Sequence, residues 1–298
     1  MTIRLRSFAP AALVVLAGCV ISDPIPVRAY EAEVANAELA FADAAAREGI
    51  RDAFVRFSGD SSVAFRPEPE NAKAAWRSRP PVPGRLRWYP AYVRAAGSGD
   101  LGLTTGPYES RDSTGALRGT GTYFTVWRRD AEGWRFMVDQ GIRHAAPAEP
   151  PARWDVSMAR FDRIGRRYPT GPVARDLLAA DRRFAARAEE AGFAAALRRF
   201  GHPEMRLLRD GAFPHVGLDS AVAAASADGA RRYSATPARA YAAAAGDFGW
   251  TWGEYRLLNA GAGRRETGHY VHVWVREGHG PWRLLVDVTA PRPPERDE

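Results

Sequence analysis

Two hydrophobic patterns alternate along this chain, and the pair occurs twice. Over residues 30–48, Val34, Leu39 and Phe41 stand at helical spacing among Ala and Glu; residues 173–191 do the same with Leu177, Leu178 and Phe184. Gly49 and Gly192 follow directly, where a glycine in the left-handed conformation ends a helix. Second short helices are expected at 51–57 and 193–200. The period then changes to two. Leu101, Leu103 and Thr105 share one strand face, while Gly102, Thr104 and Gly106 share the other; strands at 123–127 and 134–139 follow, joined by polar turns at 111–118 and 128–133. Helices followed by an antiparallel meander indicate an α+β fold. The Gly-Thr-Gly strip leaves one face nearly bare, so that a helix or a ligand can approach closely, the helix being the commoner occupant.

The pattern repeats because the sequence does. Residues 99–109 align with 246–256 at an offset of 147, with six of eleven positions identical. At the same offset Gly121, Tyr123, Val126 and Trp127 meet Gly268, Tyr270, Val273 and Trp274, and one added turn residue later Trp134, Val138 and Asp139 meet Trp282, Val286 and Asp287. Upstream, Phe41, Gly49, Phe54 and Phe57 match Phe184, Gly192, Leu197 and Phe200 at an offset of 143. So long a period means tandem domains, not a solenoid: copy one over 27–144, a linker over 145–172, copy two over 173–290 and a tail over 291–298. Within the linker, 145–153 is rich in Ala and Pro, and 154–168 reads as a short basic helix packing across the domains.

Residues 1–18 have a different character. A short basic stretch with Arg4 and Arg6 precedes an apolar run that ends in small residues, the layout of an export signal. The run is too short to span about 30 Å of hydrocarbon. Leu16-Ala17-Gly18-Cys19 resembles the bacterial lipobox, which implies cleavage before Cys19 and its acylation, with 19–26 as a tether to the bilayer. Val20 after the Cys is not the Asp of inner-membrane retention, so in a Gram-negative host the resemblance implies the outer membrane, facing the periplasm. Cys19 is the only cysteine, so no disulfide can form within the chain.

Composition narrows the function classes. With 46% hydrophobic residues, nine Trp, ten Tyr and thirteen Phe, the chain has material for packed cores and is not disordered. The formal charge of +7 is scattered among 35 acidic residues, and no basic run is interleaved with stacking aromatics, so nucleic acid is not an expected partner.

The order of elements, together with the G-D-L-G-x-T-x-G-x-Y segment, the G-x-Y-x-x-V-W strand and the W-x-x-x-V-D strand, resembles the nuclear transport factor 2-like superfamily. The closest branch is its domain of unknown function in secreted bacterial proteins, related to SnoaL-like cyclases and ketosteroid isomerases. The resemblance implies two cone-shaped domains, each a curved antiparallel sheet wrapped around N-terminal helices and leaving a conical pocket. Copy two departs from the pattern at Trp250, Trp252 and Arg256.

Strong catalytic signatures are absent: there is no H-E-x-x-H, G-x-S-x-G or Walker loop. No cofactor is called for. His269 and His272, three apart on a strand, point to opposite faces, and His202, His215 and His279 fall in expected loops, so no metal site is expected. The candidate ligand-binding residues are the polar fringe of the sheets: Tyr108, Tyr123, Thr125 and Asp139 in copy one, Tyr255, Tyr270, His272 and Asp287 in copy two. In isomerases of the superfamily a Tyr and an acid hold an oxyanion while an Asp moves a proton, which makes Asp139 and Tyr123 the catalytic candidates. Alternatively, Asp139 and Asp287 end the last strand and pair with an Arg. Asp100 and Asp247 are expected to close turns on their own backbone. The leading expectation is a non-catalytic envelope lipoprotein that binds a small apolar or amphipathic molecule, or a partner protein. An isomerase, cyclase or dehydratase is the second, and an assembly module with paired sheets or a homodimer the third.

Overall fold

The computed structural model describes residues 27–159, 167–227, 232–258 and 265–293. The export signal, Cys19 and the tether lie outside the described residues, as do residues 160–166 of the expected basic helix and the end of the tail. Among the described residues no helix is long and apolar enough to cross a membrane.

Copy one opens with α1 (Val27–Glu48) and α2 (Ile50–Phe57), joined at Gly49, whose φ of +95° lets the chain turn between them. Val34 and Phe41 of α1 are buried, whereas Leu39 is exposed. Then come β1 (Ser58–Phe65), β2 (Pro69–Asn71), α3 (Ala72–Arg77), β3 (Arg85–Trp88) and β4 (Tyr92–Ala95), and the meander β5 (Leu101–Arg111), β6 (Leu117–Asp130) and β7 (Gly133–Arg143). Copy two runs through α4 (Thr170–Ala191), α5 (Phe193–Phe200), β8 (Gly201–Leu208), β9 (His215–Val216), α6 (Leu218–Ala227), β10 (Arg232–Ala242), β11 (Phe248–Leu258), β12 (Arg265–Val275) and β13 (Arg283–Pro291). The fold is α+β with two mixed sheets, ordered β2-β1-β7-β6-β5-β3 and β10-β11-β12-β13-β8-β9. β4 also pairs with β5. The meanders are antiparallel as expected; the parallel pairs β1–β7 and β8–β13 are additions. His202 and His215 therefore lie on strands, not in loops. The stretch around 154–159 holds a single 3-10 turn at Val156–Met158, and Trp154 packs against copy one.

Each sheet is apolar on both faces. Tyr123, Trp127 and Phe136 turn toward the helices and join Val34, Phe41, Phe54 and Phe57. Phe124, Val126, Met137 and Val138 turn the other way, onto Val271, Val273, Leu285 and Val286 of the second sheet. Register shifts at Val126/Trp127 and Val273/Trp274 let successive residues serve that shared face. Trp250 lies in the same inter-sheet core, stacked on Tyr241, and Trp252 meets Phe65 of copy one. These two departures in copy two thus serve the domain interface. The glycine strips admit helices: a Cβ on Gly102 would come within 2.6 Å of Val34, and one on Gly249 within 2.5 Å of Leu177.

The contacts at one end of the interface are reciprocal. The Ala244 amide donates to Asp100 Oδ2 at 2.9 Å, and the Gly97 amide donates to Asp247 Oδ2 at 2.8 Å. Both pairs match at the 147-residue offset, so the duplicated motif meets itself about a local two-fold axis. Asp100 accepts from the Ser98 hydroxyl, a side-chain bond and not the expected bond to its own backbone, and the more distinctive bonds of both aspartates reach across to the other copy.

Candidate functional site

In copy one, α1 carries Glu38 on its buried face, three residues before Phe41. The carboxylate accepts from the indole N–H of Trp88 at 2.5 Å and of Trp127 at 3.0 Å, and from the Thr104 hydroxyl. Burial raises its pKa above the ordinary carboxylate value, opposed by those donors. Glu38 ties the helix to β3, β5 and β6 and so fixes the floor beneath the sheet's polar fringe.

Above that floor is a small cavity of about 130 Å³. Phe54, Leu86, Trp88 and Tyr108 supply an apolar wall; Tyr123, Asp139 and Gln140 supply the polar atoms. Among the described residues the Tyr123 hydroxyl and Gln140 Oε1 are buried without a hydrogen-bond partner. Asp139 is only partly covered and accepts from the Thr125 hydroxyl at 2.7 Å. Burial, reinforced by the Glu38 charge, pushes its pKa up to about 8. Burial and the same carboxylate lift the Tyr123 phenol above its ordinary range. At pH 7 both groups are therefore mainly protonated and able to donate, beside an amide oxygen able to accept.

Copy two places the matched residues very differently. Asp181 of α4, at the 143-residue offset from Glu38, accepts from His272 Nδ1 at 2.9 Å and from the Tyr270 hydroxyl at 2.9 Å. Asp287, the counterpart of Asp139, meets His272 Nε2 at 3.1 Å and Arg209 Nη1 at 2.6 Å. Asp181, His272, Asp287 and Tyr270 are all fully buried. Burial would raise the Asp287 pKa, but Arg209 and then His272 outweigh it and bring it down to about 2. Burial would lower the His272 pKa, but Asp181 and Asp287 drive it up to about 9. Tyr255 turns to Glu266 at 2.7 Å.

The structure therefore gathers all four copy-one candidates at one cavity, with Thr125 acting through Asp139. The four copy-two candidates line neither of the two cavities described; three of them form one closed ionic cluster. Asp287 takes the expected arginine partner and Asp139 does not. The difference comes down to two positions: His272 stands where copy one has Thr125, and Arg209 where copy one has Arg66, whose guanidinium lies instead over Trp76 at 4.9 Å. Glu38, Asp181, Arg66 and Arg209 were not among the residues singled out from the sequence. Their matching offsets, and an acid at the same place on two apolar helix faces, were the signal that could have found them.

A larger cleft of about 930 Å³ opens between the copies, lined in part by Arg94, Tyr168, His202, Arg276 and His279. Arg276 is already bonded to Asp176 and packed on Trp282. The smaller cavity, which gathers Asp139 with its raised pKa beside an apolar wall, is the better candidate site.

No protein-family model matches the chain, and no curated protein matches it in sequence. Solved structures similar to part of it include a ketosteroid isomerase-like protein from Erwinia carotovora atroseptica, 12% identical, with 42% of this chain and 99% of that one covered and a TM-score of 0.37. A nuclear transport factor 2-like superfamily protein from Salmonella enterica is 12% identical, with 41% and 93% covered and a TM-score of 0.35. A nuclear transport factor 2-like protein of unknown function from Shewanella oneidensis is also 12% identical, with 39% and 96% covered and a TM-score of 0.32.

Proposed function

We propose that the chain is an envelope lipoprotein of two nuclear transport factor 2-like domains, in which copy one binds a small, largely apolar molecule and copy two is its structural partner. The observation that carries this reading is the contrast between equivalent sites. In copy one Tyr123 and Gln140 hold unpaired buried polar atoms toward a cavity; in copy two the matched carboxylates are saturated by His272, Tyr270 and Arg209. A native fold leaves few buried polar groups unpaired, and a ligand would satisfy those of copy one. Native mass spectrometry of the mature chain from its own host tests this. A bound small molecule is expected, and it should be lost on Leu86→Trp, which fills the cavity. An empty chain, or an adduct untouched by that substitution, overturns the reading.

A second reading, proton transfer by Asp139 with Tyr123 as hydrogen-bond donor, is favoured by one feature, an acid of near-neutral pKa at an apolar cavity. Once the bound molecule is known, Asp139→Asn separates the two: a carrier keeps its ligand unaltered, while an enzyme keeps binding and loses turnover.

The lipobox-like Leu16-Ala17-Gly18-Cys19 supports the envelope location, since acylation there would add several acyl chains at about 0.8 kcal/mol per buried methylene and hold the protein stably on a bilayer. Cys19→Ala should move the protein from the membrane fraction to the soluble one.

A further inference from the structure

A cluster built from both copies stands outside the two cavities. Glu254 on β11 and His269 on β12 are directly opposite in the ladder, which puts their side chains on one sheet face. Glu68 of copy one reaches them from the turn between β1 and β2, where Phe65 stacks on the His269 ring at 5.0 Å and 17°. One donor atom from each of the three lies within 4.8 Å of the other two. His269 is fully buried and turns Nε2 into the cluster, 3.7 Å from Glu68 Oε2 and 3.9 Å from Glu254 Oε1, both too far for a hydrogen bond. Copy one has Pro107 and Thr122 at the places matching Glu254 and His269, so the cluster is not duplicated.

A cation is already drawn to this point. Arg292, directly after β13, donates to Glu68 at 2.5 and 2.9 Å and to Glu254 at 3.3 Å. It serves the imidazole poorly, with Nη2 at 3.4 Å from His269 Nε2, longer than an ordinary N–H bond. The two carboxylates are what a guanidinium needs; a fully buried imidazole aimed at the same point is not. A ring with its proton on Nδ1 presents a lone pair there, and one imidazole nitrogen with two carboxylate oxygens is a donor set that zinc accepts. We propose that Glu68, Glu254 and His269 form a zinc site that clamps copy one to copy two, with Arg292 as the cation that gathers the three donors until the metal displaces it. Tetrahedral zinc with bonds of about 2.1 Å holds its donors about 3.4 Å apart. Small movements of two exposed glutamate side chains close the present gaps, while Arg292 swings outward past the end of β13. The inference does not depend on what the copy-one cavity binds.

Calorimetric titration of the untagged, chelator-treated mature chain with Zn²⁺ tests the site, in a Cys19→Ala background that removes the only thiol. One ion per chain is expected. Glu68→Gln and Glu254→Gln, each removing a charged donor, should weaken binding about tenfold or more, and Arg292→Gln should tighten it about tenfold by removing the competing cation. Zn²⁺ should raise the melting temperature of the parent chain and not that of Glu68→Gln. His269→Gln should also weaken binding; the exposed glutamates keep the test decisive where that core variant does not fold. No uptake by the parent chain, or uptake unchanged in both glutamate variants, overturns the proposal. Uptake that begins only once Arg292 is replaced overturns it equally, since the native cluster is then an ion-paired clamp and not a metal site.

Discussion

Asp139 and Asp287 occupy equivalent positions in one repeated fold and have opposite electrostatic fates. Among the described residues Asp139 has Thr125 as its hydrogen-bond partner, and its pKa rises to about 8; Asp287 has His272 and Arg209, and its pKa falls to about 2. The two substitutions to Asn should therefore act in opposite directions. Between about pH 4 and 8 folded Asp139 holds a proton that the unfolded chain has released, so stability declines as pH rises across that window. Asp139→Asn should stabilise the protein by at most about 5 kcal/mol at pH 8 and have no effect at pH 4, as thermal melts would read. Asp287→Asn leaves Arg209 and His272 short of a partner and should cost about 3 kcal/mol at pH 7. The His272 contribution is complete below its unfolded pKa near 6.5 and is lost as pH climbs through 9; that of Asp287 is complete above 3.8 and is lost as pH falls toward 2. Copy two should thus be most stable from about pH 4 to 6.5. A melting temperature that stays flat from pH 6 to 10 would contradict the buried imidazolium.

At the scale of elements, the close approach of α1 to β5 depends on Gly102. Gly102→Ala should cost about 1–3 kcal/mol, because the added methyl meets Val34 at 2.6 Å in a packed core. Gly119→Ala, with nothing within 4 Å, should be nearly silent, and a denaturant titration of the two variants reads the difference. The meander strands were legible in the sequence because their apolar residues alternate, and the helix ends because Gly49 and Gly192 adopt positive φ. β1 was not legible. Its sequence, Ser-Gly-Asp-Ser-Ser-Val-Ala-Phe, has little strand character of its own and is held by parallel pairing with β7, a contact made far along the chain. The site was legible as far as the outward polar fringe of one strand. Alternation puts Tyr123 and Thr125 on one face, but cannot tell that the same face of copy two is sealed by Arg209 from β8's end. Nor does it show that Phe124 and Val126 face a second sheet.

For the whole molecule, duplication supplies a partner for the apolar sheet face within one chain. The reciprocal bonds of Asp100 and Asp247 pin that pairing, so the mature chain should sediment as a monomer, and Asp100→Ala with Asp247→Ala should lower the melting temperature without changing that state. A stable wild-type dimer would mean that an apolar face remains uncovered. With the interface built from both copies, one of them is free to trade its cavity for ionic stability while the other keeps it. This division of labour is tested most directly by a carboxyl carbon NMR titration of the mature chain, in which Asp139 and Asp287 are assigned by their Asn variants. Asp139 titrating near 8 and Asp287 near 2 is the result expected; two carboxyls titrating together in the ordinary range near 4 would contradict it.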